Sequence, residues 1–215
     1  MVGESRGDAG AFNQRDPEPR RSATIHTVDH PTLVIGSTQP EASVDHRVAD
    51  SLGVEVVRRR SGGGGVLLIP GEFVWLDLVI PDGDPLWRAD VGRAMIWAGE
   101  LWRAGLGELG VSSSVHSGGM IRSPWSAQVC FAGLGTGEVV ATGGAVKLVG
   151  ISQRRTRHWT RLQTMCHLNW RPELVAALVA APRPTAAELA PLVGVVTAAD
   201  SGALADALVA NLPAG

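Results

Sequence analysis

A run of basic and small residues in the first third of the chain has the composition of a ligand-binding loop. Arg58, Arg59 and Arg60 are followed by Ser61 and by four consecutive glycines, Gly62–Gly65. Glycine lets a backbone approach a ligand closely and turn N–H groups towards it, while arginine and serine add charge and a hydroxyl donor. No Gly-Lys-Ser/Thr follows, so this is not a Walker A loop. The run predicts one wall of an anion-binding site, and a wide, basic hairpin loop is the alternative.

The single lysine of the chain is the second candidate for chemistry. Of 19 basic residues, Lys147 is the only lysine. In "AVKLVGI" both faces of the expected strand are apolar, which predicts a buried ammonium group that is costly unless an anion pairs with it. A second basic cluster, residues 152–157, follows directly. Two basic clusters joined to a glycine loop predict one phosphate-bearing ligand near Lys147. The alternatives are an edge lysine that reaches solvent and a solvated arginine face.

Cys130 is the candidate nucleophile. It lies in "QVCFA", before a glycine-rich turn. A reactive thiolate needs a cationic neighbour, which Lys147 would supply if the fold brings the two together; an inert buried thiol is the alternative. Cys166 alternates with apolar neighbours and is expected in the core. No residues have the spacing of zinc ligands, so no metal site is predicted.

Composition limits the class of protein. A chain of 215 residues that is 45% hydrophobic can bury one main core. The net charge of −2 argues against a non-specific nucleic-acid binder. No apolar run reaches the roughly 18 residues of a membrane helix, and the polar start lacks the apolar core of a signal peptide. The two cysteines are therefore expected as reduced thiols, which predicts a cytoplasmic protein without membrane association.

Apolar runs bounded by glycine and proline predict the elements that must position these residues. Strands are expected over 32–37, 54–60, 65–69, 73–80, 127–132, 138–142, 145–151 and 161–170. Helices are expected over 40–52, after Asp84-Pro85, and over 172–181, 184–192 and 200–211, the second with a core-facing stripe from Trp87 to Gly105. This irregular order predicts an α+β fold with largely antiparallel sheets. Residues 1–24 are expected as a mobile tail, and residues 183–215 as a helical C-terminal appendage.

Two motifs in this order resemble the lipoate–protein ligase A/B family. "RRRSGGG" (58–64) is similar to the family pattern Arg-Arg-x-Ser/Thr-Gly-Gly, and "VKLVGISQRR" (146–155) is similar to its later lysine motif. "GSTQ" (36–39) matches the early Gly-x-x-Gln turn. The resemblance implies that residues 25–182 form a catalytic domain of the biotin/lipoate ligase fold, related to class II synthetases, with mostly antiparallel mixed sheets flanked by helices.

The resemblance also implies an activity and a site. Such enzymes activate lipoate or octanoate with ATP and Mg²⁺ to an acyl-adenylate, and transfer the acyl group to a lysine of a lipoyl-domain protein. The acceptors are E2 subunits of 2-oxoacid dehydrogenases and the glycine cleavage H protein. Lys147 would hold the acyl carboxylate and stabilise charge during transfer. The residues implied to bind ATP and the acyl-adenylate are Arg59, Ser61, Gly62, Gly63, Gly64, Gly65, Val66, Leu67 and Lys147.

A related branch of the family suggests a different mechanism. It transfers octanoate from acyl carrier protein through a cysteine, and "VCFAG" matches its Cys-Phe pair at Cys130. Cys130 is therefore a second candidate catalytic residue, and a non-catalytic protein that binds lipoyl groups or adenylates is a third hypothesis. The chain departs from the family pattern at Leu68 and Ile69, where a His-Asp pair is usual, and at Val146, where a basic residue is usual.

Overall fold

Apolar segments of the sequence form the strands of two sheets. The computed structural model describes residues 2–144, 146–197 and 201–213. The strands are β1 (Val2–Gly7), β2 (Ser22–Val28), β3 (Thr32–Ile35), β4 (Glu55–Arg58), β5 (Val66–Leu68), β6 (Phe73–Pro81), β7 (Ser113–Val115), β8 (Val139–Ala141), β9 (Lys147–Arg155) and β10 (Trp159–His167). The helices are α1 (Ala9–Gln14), α2 (His46–Ser51), α3 (Val91–Glu108), α4 (Pro172–Leu178), α5 (Ala186–Leu189) and α6 (Ser201–Ala210).

Most strand pairs are antiparallel. The larger sheet has the order β1-β2-β6-β10-β9-β8-β7, and only β1 and β2 pair in parallel. The smaller sheet has the order β4-β3-β5, with β3 parallel to β4 and antiparallel to β5. This confirms the predicted α+β class with mostly antiparallel mixed sheets.

The helices cover the sheets with their apolar faces. Helix α3 packs on the larger sheet together with α6, and Trp102 at its centre is fully buried and donates its Nε1–H to Thr164 Oγ1 at 2.7 Å. The predicted core role of the α3 stripe is confirmed for Trp102. Helices α2 and α4 pack against the smaller sheet. No described helix is both long enough and apolar enough to cross a membrane.

A third group of buried residues fills the space between the two sheets. It takes Val34 and Leu68 from the smaller sheet, Trp75 and Met165 from the larger sheet, and Phe131 from a connecting 3-10 turn. A cavity opens within this group. The two sheets therefore form opposite walls of the candidate site.

The N-terminal residues differ from the predicted tail. β1 pairs with β2 from Val2↔Ala23 to Gly7↔Val28, and α1 follows with Ala9 and Asn13 buried. Composition did not reveal this strand because backbone hydrogen bonds to a neighbour satisfy its polar groups without an apolar side-chain pattern. Residue 1 lies outside the described residues.

The C-terminal residues also differ from a separate appendage. Val193 and Val195 form bridges to Lys147 and His167, and Leu204 and Leu208 of α6 are fully buried in the main core. The segment completes the core, because the apolar side of α3 would otherwise face water. The appendage prediction also included residues 198–200 and 214–215, which lie outside the described residues, as does Ala145 of the predicted 145–151 strand.

Two further predictions are wrong. The helix expected after Asp84 begins at Val91 and is capped by Asp90, since the Asp84 carboxylate instead accepts hydrogen bonds from Arg21 and from the Leu86 N–H. The strand expected over 127–132 is a loop ending in the 3-10 turn Cys130–Ala132. Its backbone pairs with the glycine loop (Gly62–Gly65) at one point, Gly65 with Val129, rather than along a strand.

Candidate active site

An open cavity lies between the two sheets. Its walls are mainly apolar, with a few polar groups. Such a lining suits a ligand with an aliphatic body and one polar end. The lining residues are Asn13, Val34, Arg59, Val66, Leu68, Trp75, Cys130, Phe131, Gly150, Ile151, Ser152, Gln163, Thr164 and Met165.

The glycine loop forms one edge of this cavity by close backbone packing. Gly63 has φ +99°, and a Cβ on Gly64 would lie 2.7 Å from the Val129 nitrogen. Gly65 donates to Gln128 O at 2.7 Å, and the Cys130 N–H donates to Gly65 O at 3.0 Å. Gly64 in particular is required, because the backbone of the loop that carries Cys130 lies directly against it.

Arg59 places a positive charge on the cavity wall. The residue is 5% exposed, and its guanidinium donates to the carbonyl oxygens of Val34, Gly62 and Gly64 at 3.1, 2.7 and 2.8 Å. No carboxylate among the described residues pairs with it, and its buried Nε–H has no hydrogen-bond partner there. Burial lowers the pKa of Arg59, because the charged form has lost water without gaining an anion. The arrangement is suited to an anionic ligand group.

Cys130 is partly exposed and lines the same cavity. The cation that acts electrostatically on its thiol is Arg59. Lys147, the neighbour predicted for this role, instead donates to the Cys130 backbone oxygen at 3.1 Å. The thiol thus has a cationic neighbour, but a different one from the one predicted.

Lys147 is buried, as predicted, but it already has an anion. Its Nζ lies 2.7 Å from Glu138 Oε2 and donates to Cys130 O and Gly133 O at 3.1 Å each, which accounts for the three N–H groups of the ammonium. The two side chains are 2% and 5% exposed. The anion that the buried ammonium needs thus comes from the protein itself, because the fold brings Glu138, just before β8, to Lys147.

Lys147 lies behind the cavity wall rather than on it. Its Nζ is 4.8 Å from the centre of the Phe131 ring, and Phe131 lines the cavity. Direct contact between Lys147 and a ligand therefore requires it to give up one of its present acceptors. In this conformation it holds the backbone between Cys130 and Gly133 in place.

A chain of polar side chains runs along one side of the cavity. Ser61 Oγ lies 3.0 Å from Ser152 Oγ and donates to Gln163 Oε1 at 3.4 Å, and Gln163 Nε2 donates to Asn13 Oδ1 at 3.0 Å. Asn13 in turn donates to Ala9 O at 2.8 Å. The chain joins the glycine loop to both central strands and to α1.

The structure brings most of the predicted residues together. Arg59, Val66 and Cys130 line the cavity, and Ser61 reaches it through Ser152. Leu67 does not, because alternate residues of β5 face opposite sides and its side chain packs into the core beneath the smaller sheet. Gly62–Gly65 form the loop itself.

Sequence reasoning missed Glu138, Asn13, Ser152 and Gln163. Glu138 ends "GLGTGE" (133–138), the glycine-rich turn that follows Cys130, and Asn13 lies in the predicted tail. Only Ser152, inside a recognised motif, carried a signal that could have identified it.

Several arginines of the two predicted basic clusters form contacts within the protein rather than facing a ligand. Arg58 donates to Gly36 O and Gln39 O and pairs with Glu41. Arg155 stacks on Trp87 at 4.1 Å. Arg60 and Arg154 share one carboxylate, that of Asp16.

One group of described residues has the composition of a metal site, at a distance from this cavity's lining. His30 Nε2 lies 2.7 Å from Glu55 Oε2 and 3.7 Å from Asp8 Oδ2. The hydrogen bond to Glu55 is the main reason that the pKa of His30 is raised. None of the three lines the cavity.

An α+β fold with a glycine loop at the edge of an apolar cavity between two sheets is the arrangement of a lipoyl protein ligase catalytic domain. Residues 8–196 match the sequence model of the lipoyl protein ligase A/B catalytic domain. The chain belongs to this family of enzymes, which confirms the resemblance that the two motifs indicated. A search of curated proteins finds no match.

Solved structures share the fold at low sequence identity. A bi-partite lipoate protein ligase from Thermoplasma acidophilum, described with its E2 lipoyl domain, is 14% identical with a TM-score of 0.76, over 98% of this chain and 80% of that chain. A putative lipoate protein ligase from T. acidophilum with bound lipoic acid is 15% identical with a TM-score of 0.72, over 98% and 82%. A lipoate-protein ligase A bound with ATP is 17% identical with a TM-score of 0.71, over 89% and 71%.

Proposed function

We propose that this protein activates lipoate or octanoate with ATP and transfers the acyl group to a lysine of a lipoyl-domain protein. The observation that carries the proposal is the apolar cavity whose wall holds the buried, carboxylate-free guanidinium of Arg59. An aliphatic acid matches both features, since its chain contacts apolar walls and its carboxylate pairs with arginine. The similarity to proteins described with ATP, lipoic acid and an E2 lipoyl domain supports the same substrates.

The proposed reaction has two steps. The acyl carboxylate attacks the α-phosphorus of ATP, the bond to pyrophosphate breaks, and an acyl-adenylate forms. The amine of the acceptor lysine then attacks the acyl carbonyl, AMP leaves and the amine loses a proton. Arg59 neutralises the acyl carboxylate or the adenylate phosphate, and the glycine loop lets the nucleotide approach the backbone.

Lys147 has a proposed positioning role that precedes any direct contact. By holding Cys130 O and Gly133 O, it fixes the wall that faces the acyl group. A direct role with the acyl carboxylate, as the resemblance implies, requires exchange of Glu138 for the substrate. Leu67 is removed from the proposed binding residues, while Ser61, Gly62, Gly63, Gly64, Gly65 and Val66 are retained.

Mg²⁺ is not assigned a place among the residues of the chain. No aspartate or glutamate occurs in the described lining of the cavity, so these residues do not fit a protein-held Mg²⁺ site. No step of the proposed reaction is assigned to the metal. The acceptors remain E2 subunits and the glycine cleavage H protein, and the cytoplasm remains the predicted location.

Cys130 favours a second candidate function. Its thiol lines the cavity beside a cation. In an octanoyl transferase, the Cys130 thiolate would attack the thioester of octanoyl-acyl carrier protein and release the carrier thiol. The acceptor lysine would then attack the new thioester and regenerate Cys130.

Intact mass of a lipoyl-domain acceptor tests both proposals. The acceptor is incubated with the protein and either ATP, Mg²⁺ and lipoate or octanoate, or octanoyl-acyl carrier protein without ATP. The ligase proposal predicts an acyl mass gain that needs ATP and persists in Cys130→Ser. Arg59→Gln should lower kcat/KM about 10- to 100-fold, since a charge-assisted contact is lost. Arg103→Gln, on an exposed face of α3, is the matched control.

The outcomes separate the hypotheses. A mass gain without ATP that disappears in Cys130→Ser supports the transferase and contradicts the ligase. Binding of lipoate or octanoyl-adenylate without any mass gain supports the non-catalytic hypothesis. Lys147→Ala is included in both arms, and unchanged turnover in that variant would contradict either role for Lys147.

A further inference from the structure

The carboxylate of Asp16 lies between the two basic clusters of the chain. Asp16 Oδ1 accepts from Arg60 Nη1 at 2.5 Å and also from Arg154 Nη1. Arg60 lies two residues before the glycine loop, and Arg154 lies on β9, 94 positions further along the chain. A residue from the predicted tail thus joins the two clusters that the sequence suggested would share one anion.

This contact lies at the rim of the candidate site. Arg60 precedes Ser61, and Arg154 is two residues beyond Ser152, whose hydroxyl groups are 3.0 Å apart. Ser152 lines the cavity. The two arginines therefore flank the Ser61–Ser152 pair at the edge of the cavity.

The charges at this rim allow a phosphate group to replace the Asp16 carboxylate on the two arginines. The exposed fractions of the Arg60, Arg154 and Asp16 side chains are 39%, 27% and 54%, so solutes can reach all three. Two cations face a single carboxylate oxygen, and the hydrogen bond from Arg60, followed by that from Arg154, holds the pKa of Asp16 below its ordinary value. A phosphate group offers several oxygens and more charge to the same pair of guanidinium groups.

Helix α1 does not depend on Asp16 for its position. Asn13 is held by Gln163, and the Arg161 guanidinium donates to Phe12 O and Arg15 O at 2.8 and 3.1 Å. Release of the Asp16 carboxylate would therefore leave α1 on the cavity wall.

We propose that Arg60 and Arg154 bind a phosphate group at the cavity mouth, and that Asp16 occupies them in the free protein and is displaced by the ligand. The phosphate belongs to a nucleotide if the ligase function holds and to a phosphopantetheine arm if the transferase function holds. Which molecule carries the phosphate thus rests on the proposed function, whereas the binding of a phosphate by the two arginines does not.

Binding of three probes tests the proposal. Dissociation constants of ATP, 4′-phosphopantetheine and inorganic pyrophosphate are measured by calorimetry at fixed ionic strength for Asp16→Asn and for wild type. We expect Asp16→Asn to bind at least one probe about three- to tenfold more tightly, because the internal competitor has lost its charge. Glu18→Gln is the matched control, since Glu18 lies in the same segment and forms an ion pair with the exposed Arg20, at 3.1 Å.

Variants of the two arginines locate the effect. In Asp16→Asn, adding Arg60→Gln and Arg154→Gln should abolish the gain. Unchanged or weaker binding of all three probes by Asp16→Asn overturns the proposal, as does a gain that survives the arginine changes. The acyl-transfer assay is a separate measurement, so its failure would remove the proposed function while leaving this result intact. Tighter ATP binding identifies the nucleotide as the source, and tighter 4′-phosphopantetheine binding identifies the carrier arm.

Discussion

Replacing Glu138 by glutamine would remove the only carboxylate that pairs with Lys147 among the described residues. The buried ammonium group would then have no anion. Glu138 Oε2 contacts Lys147 and accepts the Gly135 N–H at 2.7 Å, while Oε1 accepts the Ile151 N–H at 3.1 Å. The amide keeps the size of the side chain but removes its charge. It also places an NH₂ group where an acceptor is needed.

The expected loss of stability follows from the burial of this pair. With Lys147 2% exposed, the ammonium cannot recover water when its anion is removed. Breaking a buried pair in this way costs about 3–5 kcal/mol, and for a chain of this length each kcal/mol lowers Tm by about 2–4 °C. We therefore expect a decrease of roughly 6–20 °C.

The double variant Glu138→Gln/Lys147→Met should recover much of this loss, because it no longer contains an uncompensated buried charge. Urea unfolding followed by tryptophan fluorescence gives the free energies for the wild type, both single variants and the double variant. Glu100→Gln is the control, since Glu100 pairs with Arg103 on the surface and should change stability by less than about 1 kcal/mol. A loss below about 1 kcal/mol in Glu138→Gln, or strictly additive single effects, would refute the reasoning.

Three other changes test separate parts of the structure. Burial, and to a smaller extent the charge of Lys147, lowers the pKa of His167 from 6.5 to about 3. Between these two pH values the unfolded chain binds a proton at His167 and the folded protein does not. The free energy of unfolding is therefore unaffected above pH 6.5 and decreases by about 1.4 kcal/mol per pH unit as the pH falls towards 3. Urea midpoints of His167→Gln should depend less on pH in this window than those of wild type, and parallel curves would contradict the assignment. Gly64→Ala should lower the free energy of unfolding in urea by about 1–3 kcal/mol, since its Cβ would lie 2.7 Å from the Val129 nitrogen. In the control Gly62→Ala the added Cβ meets nothing within 4 Å, and stability should change by less than about 0.5 kcal/mol. Equal effects of the two variants would exclude close packing as the reason for the glycine at position 64. Iodoacetamide should modify Cys130 in the folded protein and leave Cys166 intact by mass spectrometry, because burial raises the pKa of Cys166 to about 12; modification of Cys166 first would reverse the assigned exposures.

The local sequence indicated the type of most elements and the identity of the glycine loop. Apolar runs gave β3, β5, β6, β9 and β10, since strands that are buried largely on both faces read as nearly continuous apolar segments. The expected burial of Lys147 followed from the same pattern, because apolar neighbours occur on both faces of its strand. The ends of the elements were predicted less accurately. Helix α3 begins at Val91, seven residues after Asp84, because the Asp84 carboxylate accepts a hydrogen bond from Arg21 instead of capping a helix.

Other features depend on contacts between distant parts of the chain. Nothing local marks Val2–Gly7 as a strand, because its stability comes from hydrogen bonds to β2. Asp77 illustrates the same point: burial raises its pKa, but the hydrogen bond from His26 and the charge of Arg161 outweigh burial and leave it below its ordinary value. Asp77 and these two partners lie on three different strands, β6, β2 and β10.

By itself, the sequence determined the fold class, the family motifs and the residues that could carry chemistry. Only the tertiary structure decided that Glu138 neutralises Lys147, that Arg59 rather than Lys147 faces Cys130, and that Asp16 joins the two basic clusters. The physical reason is that periodicity reports which side chains leave water, whereas ion pairs and hydrogen bonds depend on which atoms the folded chain brings within about 3 Å of one another.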